Sequence, residues 1–413
     1  MKVMKMKVLD SKIKGSVKIS GSKNSSLPII AASLVSSVKT TLYNVPNISD
    51  INNLLKIINK VGCDTSFKNN KLVVNNMLND CELLFDEVKK IRASYYLMSV
   101  FIALFGKVTI YYPGGCSLGS RPIDYHLEGF KAAGCVVSED GDVIKINASK
   151  LKPFIYKMER KSLGATVNLI ILASKIHGRS VIKNSSTEPE IDDLIDYINK
   201  GYSKVYRKGS DIIVIGNTNI KDKIKHKVIP DRIECFTYMC IGLTSDKLKI
   251  KNINSDHLTL PIYYFKEANA NIKVYKKSIV VKRSKLKSIT VCSGDYPSLS
   301  TDQMPLLYPF FSRVDGTSIF TEGIFENRFN VCDELKRKGA CINVENNKVI
   351  INGCNNMISN ELYPKDLRAA ASLLIECIID QKSQLHNLYY LERGYDSIYK
   401  KLKKIGLKFE LGM

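Results

Sequence analysis

One unit recurs along this chain. A helix-period segment ends at a glycine or small residue, a short strand follows, then a polar turn, then a second strand. The instances are VGCDTSFKNNKLVV from Val61, AGCVVSEDGDVIKI from Ala133, KGYSKVYRKGSDIIVI from Lys200, ANIKVYKKSIVV from Ala270, KGACINVENNKVII from Lys338 and IGLKFEL from Ile405. Gly62, Gly134, Gly201, Gly339 and Gly406 recur about every 70 residues, with Ala270 standing in the fourth place. Six copies of about that length account for the whole chain. Each glycine reads as the left-handed cap that stops its helix, and Asn-Asn, Asp-Gly or Lys-Gly closes the two strands into a hairpin. Ahead of the caps run helical patterns such as Asp50 to Lys60 or Asp192 to Lys200, and earlier still another strand. The expected fold class is α/β: three units closing around their own helices make one domain, and two such domains leave a cleft between them. The length of 413 residues independently exceeds what one core organises.

Bulk chemistry narrows the function classes. The net charge of +22 invites a nucleic-acid reading. The lysines are spread from end to end, however, and runs such as KVYKKSIVVKRSKLK, Lys273 to Lys287, alternate apolar and basic residues like half-buried strands with a solvated cationic face. Neither zinc-finger spacing nor an RNA-binding aromatic motif focuses the charge, so a surface that attracts small anions is the expectation and a nucleic-acid partner is not. The 11 cysteines contain no Cys-x-x-Cys pair and the 5 histidines keep no metal-ligand spacing beside them, so no metal or cofactor is implied. Cys235, Cys240 and Cys377 sit among apolar neighbours and read as small core hydrophobes. No apolar run approaches the ~20 residues of a membrane span, the best being Leu27 to Val35, and the first residues lack a secretory apolar core. The expected location is the cytoplasm, with no membrane partner.

The repeats also position charged corners. After a strand ending VKIS comes GSKNSSLP, Gly21 to Pro28, then the helical pattern IIAASLV. Glycine, small hydroxyl residues and a lysine at a helix N-terminus suit an anion, because free N–H groups and the dipole point there. Ser22 or Asn24 as a plain cap, with Lys23 in solvent, is the competing reading. Arg92, Glu190, Arg232, Arg328, Arg368 and Arg393 stand at what read as strand ends or helix starts. Taken singly, each suits an ordinary cap or surface ion pair. Several guanidiniums gathered together would repel unless an anion sat among them, and arginine forks match phosphate and carboxylate. The loop PGGCSLGSRPIDYH, Pro113 to His126, places Cys116 behind two glycines, which packing alone does not require.

The combination of GSKN at Lys23 and Asn24, PGGCSLGSRPIDYH around Cys116, KSLGAT from Lys161, EPEI ending at Ile191, PDRIE from Pro230, Thr301-Asp302, FENRF from Phe325, DLRA from Asp366 and RGY from Arg393 resembles the UDP-N-acetylglucosamine 1-carboxyvinyltransferase family. The motifs run in the family's order across essentially the whole chain. The resemblance implies two inside-out α/β barrels of three repeats each, with residues 23–228 forming the first and 1–22 plus 229–413 the second, and the active site in the cleft. It implies transfer of the enolpyruvyl group of phosphoenolpyruvate to the 3-hydroxyl of UDP-N-acetylglucosamine by addition and elimination, with release of phosphate, the first committed step of peptidoglycan precursor synthesis. Such chemistry needs an acid near the enol methylene, a base near the hydroxyl and fixed cations around phosphate and carboxylate.

Carried over residue by residue, Cys116 is the proton donor to C3 and the group that fosfomycin would alkylate. Arg121 holds an anion beside it, and Asp302 deprotonates or orients the hydroxyl. Lys23, Asn24, Arg121 and Arg393 hold phosphoenolpyruvate, with Arg368 close by, and Lys23 also counts among the catalytic groups. The nucleotide sugar takes Arg92, then Arg121, Pro122, Ile123, Asp124 and Tyr125, then Arg160, Lys161, Ser162, Leu163 and Gly164, and Ile324. Glu190, Arg232, Arg328 and Asp366 complete the site. A monomer or weak oligomer is expected. This chain departs from the family pattern at Ser300, Gln303, Met304, Cys235 and Phe236. Two rivals stay open: the sister enzyme acting on shikimate 3-phosphate, which normally lacks the PGGC loop, and a non-catalytic relative that binds nucleotide sugar or nucleic acid.

Overall fold

The computed structural model describes residues 4–36, 38–114, 123–217, 223–324 and 328–412. Two units emerge: one takes the described residues up to Ser20 and from Pro230 onward, the other those from Gly21 to Ile229.

The expected repeat is built as a four-stranded sheet, and there are six of them among the described residues. All share one pattern: a first strand parallel to a second, the second antiparallel to a third, and that one antiparallel to the edge strand of the hairpin. In the Gly21–Ile229 unit, Lys223–Lys227 runs parallel to Lys39–Tyr43, which pairs antiparallel with Lys71–Asn75, and that strand with Asp64–Lys68. Glu82–Leu83, Lys107–Tyr111, Val143–Asn147 and Val136–Asp140 repeat the order, as do Ile155–Lys157, Gly178–Lys183, Asp211–Gly216 and Lys204–Lys208. The Asn69-Asn70 turn has φ of 51° and 60°, the paired positive values that a two-residue hairpin turn demands.

Helices fill the inside of this unit. Lys23–Val35 is buried continuously from Ser25 to Val35, and Leu163–Ala173 from Gly164 to Ala173. A helix buried on every side has no solvent face to offer, and these two pack on each other and on Tyr96–Phe105. The amphipathic helices, such as Ser49–Lys60, bury only a stripe, here Ile51, Leu54, Leu55, Ile57 and Ile58. Lysines take the solvent face of the sheets: in Lys223–Lys227, KIKHK, the three lysines are exposed while Ile224 and His226 point inward.

The second unit follows the same plan with one circular twist. Lys14–Lys18 runs parallel to Lys247–Lys251, and Lys5–Val8 lies between Gln384–Leu385 and Phe409–Gly412. This explains why the sixth repeat, IGLKFEL, has only one strand of its own: its hairpin partner comes from the start of the chain. The buried Leu367–Asp380 helix packs on Arg232–Gly242 and on the short turns Met304–Leu306 and Tyr308–Phe311. Cys235, Cys240 and Cys377 lie in this core, where burial pushes their thiols well above the ordinary range and leaves them inert.

Two of the expected caps differ. Gly62, Gly134, Gly339 and Gly406 have φ between 90° and 97°, as a left-handed cap requires. Gly201 does not adopt positive φ; it leaves room for Ile224, whose Cδ1 would lie 2.3 Å from an added Cβ. In the fourth repeat the left-handed residue is Asn269, φ 64°, one position before Ala270. Asparagine tolerates that region where alanine does not.

Candidate active site

At the N-terminus of the Lys23–Val35 helix, Ser22 is the cap and its hydroxyl accepts from Ser25 N at 3.3 Å. The preceding residue must be glycine, since a Cβ on Gly21 would fall 1.6 Å from the Asn44 carbonyl oxygen. Lys23 is not in solvent, as the plain-cap reading required. Its Nζ meets Asp50 Oδ2 at 2.6 Å, with both side chains largely buried. A carboxylate that holds this ammonium against the helix N-terminus fixes where its remaining donors reach. Asn24 is half-buried beside it.

A second cluster in the same unit gathers around Arg92 and Gly164, and sequence reasoning missed the partners that build it. Arg92, the first residue of the Arg92–Tyr95 turn, lies 5.6 Å from the Tyr95 ring, and Tyr95 packs edge-on against both Tyr96 and His126. Asn168 donates through Nδ2 to Tyr95 O at 3.1 Å and contacts His126 Nδ1 at 2.6 Å. Both amide hydrogens are then used, so Nδ1 accepts and the proton sits on Nε2. Burial, with Arg92 nearby, drives the His126 pKa down to about 3, so the ring is neutral. Gly164 is part of this packing, because a Cβ there would stand 2.8 Å from Tyr95 Oη and 3.0 Å from His126 Cε1. Ser162 caps the following helix through Ala165 N, which positions Lys161, Leu163 and Gly164 around its first turn. His126 closes the quoted PIDYH motif, so the signal was present; its burial and partners were not readable.

Of the other candidates in this unit, Ile123 is buried, Tyr125 and Lys161 are half-buried, and Asp124 and Arg160 are exposed. Glu190 is buried in the first turn of Pro189–Asn199, where the helix dipole favours its charge. Cys116, Arg121 and Pro122 lie outside the described residues. Gly114, at the root of their loop, has a backbone reason to be glycine: its Cβ would sit 1.6 Å from the Lys89 carbonyl oxygen. For this first glycine, then, packing is a sufficient reason, contrary to the expectation drawn from the loop sequence.

In the unit containing Pro230 and the residues after it, the geometry centres on Asp302. Its Oδ2 accepts from Arg368 Nη2 at 2.7 Å, and its Oδ1 pairs with Arg328, which also donates to Thr301 Oγ1. Both arginines are buried, at 7% and 8% exposure, so neither is a surface ion pair. Burial works against the Arg368 charge, and Asp302 more than offsets it, holding that guanidinium above its ordinary range. The anion expected among clustered guanidiniums is, for these two, a side chain of the protein. Asp366 caps the Leu367–Asp380 helix by accepting from Arg368 N and Ala369 N, which aims Arg368 at Asp302. Tyr395, also missed, stands 3.5 Å from Arg368 Nη1 and 2.8 Å from Thr237 Oγ1.

Arg232 is buried and faces the Tyr296 ring at 5.6 Å. Ile324 is exposed. Arg393 sits at neither a strand end nor a helix start; it follows the Tyr389–Glu392 turn and is half-buried.

The family model EPSP synthase (3-phosphoshikimate 1-carboxyvinyltransferase) matches residues 9–402. Relatives called UDP-N-acetylglucosamine 1-carboxyvinyltransferase include that of Halothermothrix orenii, 36% identical over 95% of this chain and 96% of its own, and that of Wolbachia sp. subsp. Brugia malayi, 34% identical over 95% of each. Among solved structures, the enolpyruvyl transferase NikO from Streptomyces tendae has a TM-score of 0.90 at 20% identity, covering 99% of this chain and 98% of its own. EPSP synthase from Acinetobacter baumannii has a TM-score of 0.77 at 16% identity over the whole of both chains. At such identities the structures speak for the fold, and the fold is that of the enolpyruvyl transferases. The chain belongs to the EPSP synthase family, and within it to the UDP-N-acetylglucosamine 1-carboxyvinyltransferases.

Proposed function

We propose that this protein transfers the enolpyruvyl group of phosphoenolpyruvate to the 3-hydroxyl of UDP-N-acetylglucosamine. The observation that carries this reading is full-length identity of about one third to relatives bearing that name, together with the presence of every charged group the reaction calls on. The sugar oxygen adds to C2 of the enol phosphate as its proton passes to Asp302, while the Cys116 thiol gives its proton to C3. The C2–O bond to phosphate then breaks, C3 gives a proton back to the Cys116 thiolate, the Asp302 proton leaves with the phosphate, and the enol ether and inorganic phosphate remain.

Lys23 and Asn24 offer an ammonium, an amide and a helix N-terminus to the phosphoenolpyruvate anion, with Arg121 and Arg393 as further cations. Asp302 acts first as an oriented acceptor: two guanidiniums hold its carboxylate in place, which supports a hydrogen bond from the sugar hydroxyl ahead of full proton abstraction. Arg92, Ile123, Asp124, Tyr125, the Arg160–Gly164 segment and Ile324 serve the nucleotide sugar. Glu190, Arg232, Arg328, Asp366 and Arg368 support these groups. No helix among the described residues is long and apolar enough to cross a membrane. A cytoplasmic monomer or weak oligomer with small-molecule substrates alone, working at the first committed step of peptidoglycan precursor synthesis, fits this reading.

Mass spectrometry of the products tests it. Incubation with both substrates is expected to yield UDP-N-acetylglucosamine carrying one enolpyruvyl group, and its absence with fully folded protein would contradict the proposal.

A further inference from the structure

One buried polar network stands outside the groups assigned above. Asp193, on the Pro189–Asn199 helix, and His226, on the Lys223–Lys227 strand, are both buried and joined from Oδ1 to Nε2 at 2.9 Å. Lys200 Nζ approaches His226 Nδ1 at 3.1 Å and Asp196 Oδ2 at 2.6 Å, and Asp196 Oδ2 is itself 3.6 Å from Nδ1. Asp193, Asp196 and His226 bring ligand-type atoms within 4.8 Å of one another, and the Lys200 ammonium already supplies the positive charge there. An ammonium has only hydrogens to offer, so Nδ1 is the acceptor and Nε2–H donates to Asp193. The other Asp193 oxygen, Oδ2, accepts from the Ser25 hydroxyl and from Ile229 N at 3.2 Å. Ile229 in turn accepts from Ser22 N at 2.8 Å through its carbonyl.

We infer that Asp193, oriented by His226, is a positioning residue for the phosphoenolpyruvate turn. Lys23 and Asn24 lie between Ser22 and Ser25, and both of those residues are tied to one carboxylate, Ser25 directly and Ser22 through the main chain of Ile229. An Asp with only solvent around it would rotate. This one has three donors on its two oxygens, and the imidazole that supplies one of them is held by Lys200 behind it. Fixing the turn matters because a displacement of ~1 Å in a group that holds a reacting anion costs on the order of a hundredfold in rate.

The inference rests on reading Lys23 and Asn24 as groups for phosphoenolpyruvate, so that reading is tested alongside. Lys23→Ala, Ser25→Ala, Asp193→Asn, His226→Phe and His226→Gln are compared by steady-state kinetics with each substrate varied, and by thermal unfolding. Ser25→Ala removes one hydroxyl and is the variant surest to fold. The expected result is a rise of about tenfold in KM for phosphoenolpyruvate in Ser25→Ala, Asp193→Asn and His226→Phe, with KM for the nucleotide sugar within about twofold of wild type. His226→Gln, which keeps a donor toward Asp193, is expected to recover most of the loss. Inorganic phosphate, used as a probe of the turn, should inhibit the folded variants less than wild type. If Lys23→Ala raises the phosphoenolpyruvate KM while folded Ser25→Ala does not, the brace is overturned and the turn stands. If Lys23→Ala leaves it unchanged, the reading of the turn falls and the brace with it. Equal changes in both KM values would also overturn the inference, since a merely structural loss has no reason to single out one substrate.

Discussion

Replacing Asp302 by asparagine removes the negative charge that the structure places between Arg328 and Arg368. Each arginine is less than one-tenth exposed as a residue, and the Arg368 contact is 2.7 Å. Unit charges ~4 Å apart at an effective dielectric of ~20 attract by about 4 kcal/mol, so the two pairs are worth roughly 8 kcal/mol before desolvation is subtracted. Breaking a buried pair from one side costs about 3–5 kcal/mol, because a charge is left behind without compensation. The asparagine amide keeps a carbonyl for one arginine and turns an NH2 toward the other, so the loss falls within that range. In a unit of about 200 residues, each kcal/mol lowers the midpoint by ~2–4 °C, which gives a fall of roughly 6–20 °C for Asp302→Asn. Thermal unfolding followed by circular dichroism, in the presence and absence of the nucleotide sugar, measures it. Adding Arg368→Met to Asp302→Asn should recover part of the loss, since one uncompensated charge is then removed. A midpoint for Asp302→Asn within about 2 °C of wild type would refute the claim that this carboxylate neutralises two buried arginines.

The remaining predictions concern other parts of the site. His126 has its pKa lowered from 6.5 to about 3 by burial and Arg92, so the unfolded chain binds a proton there that the folded protein does not. Its contribution is fully present above pH ~6.5 and falls as the pH drops toward 3, by ~2 kcal/mol at pH 5. Urea unfolding at pH 7 and pH 5 should show that component reduced in His126→Asn, and an unchanged pH difference would count against a neutral buried ring. Gly164→Ala places a Cβ 2.8 Å from Tyr95 Oη and should cost about 1–3 kcal/mol and raise KM for the nucleotide sugar; wild-type stability and KM would show that the pocket yields freely. Fosfomycin with the nucleotide sugar should add one inhibitor mass to the wild-type chain and none to Cys116→Ala, as read by intact mass spectrometry.

Much of the fold is written in local signals. Gly62, Gly134, Gly339 and Gly406 end helices, and Asn69-Asn70 turns a strand, at φ angles that glycine and asparagine adopt most readily. What stayed hidden is long-range. Asp302 meets Arg328 and Arg368 at separations of 26 and 66 residues, and Lys5–Val8 completes a sheet with the other end of the chain. Gly201 looked like its repeat-mates, yet its reason for being glycine is Ile224 on another strand. At the site, the charged corners were readable because helix starts and strand ends carry composition signals. Their partners Asp50, Tyr95, Asn168 and Tyr395 are ordinary residues that packing alone makes specific.

Enolpyruvyl transfer to the nucleotide sugar is tested most directly by phosphate release from phosphoenolpyruvate by the purified protein, with UDP-N-acetylglucosamine or shikimate 3-phosphate as the acceptor, in wild type and in Cys116→Ala. Stoichiometric release with the nucleotide sugar only, and its loss in Cys116→Ala, is the expected result. Release with shikimate 3-phosphate, or with neither acceptor, would contradict it.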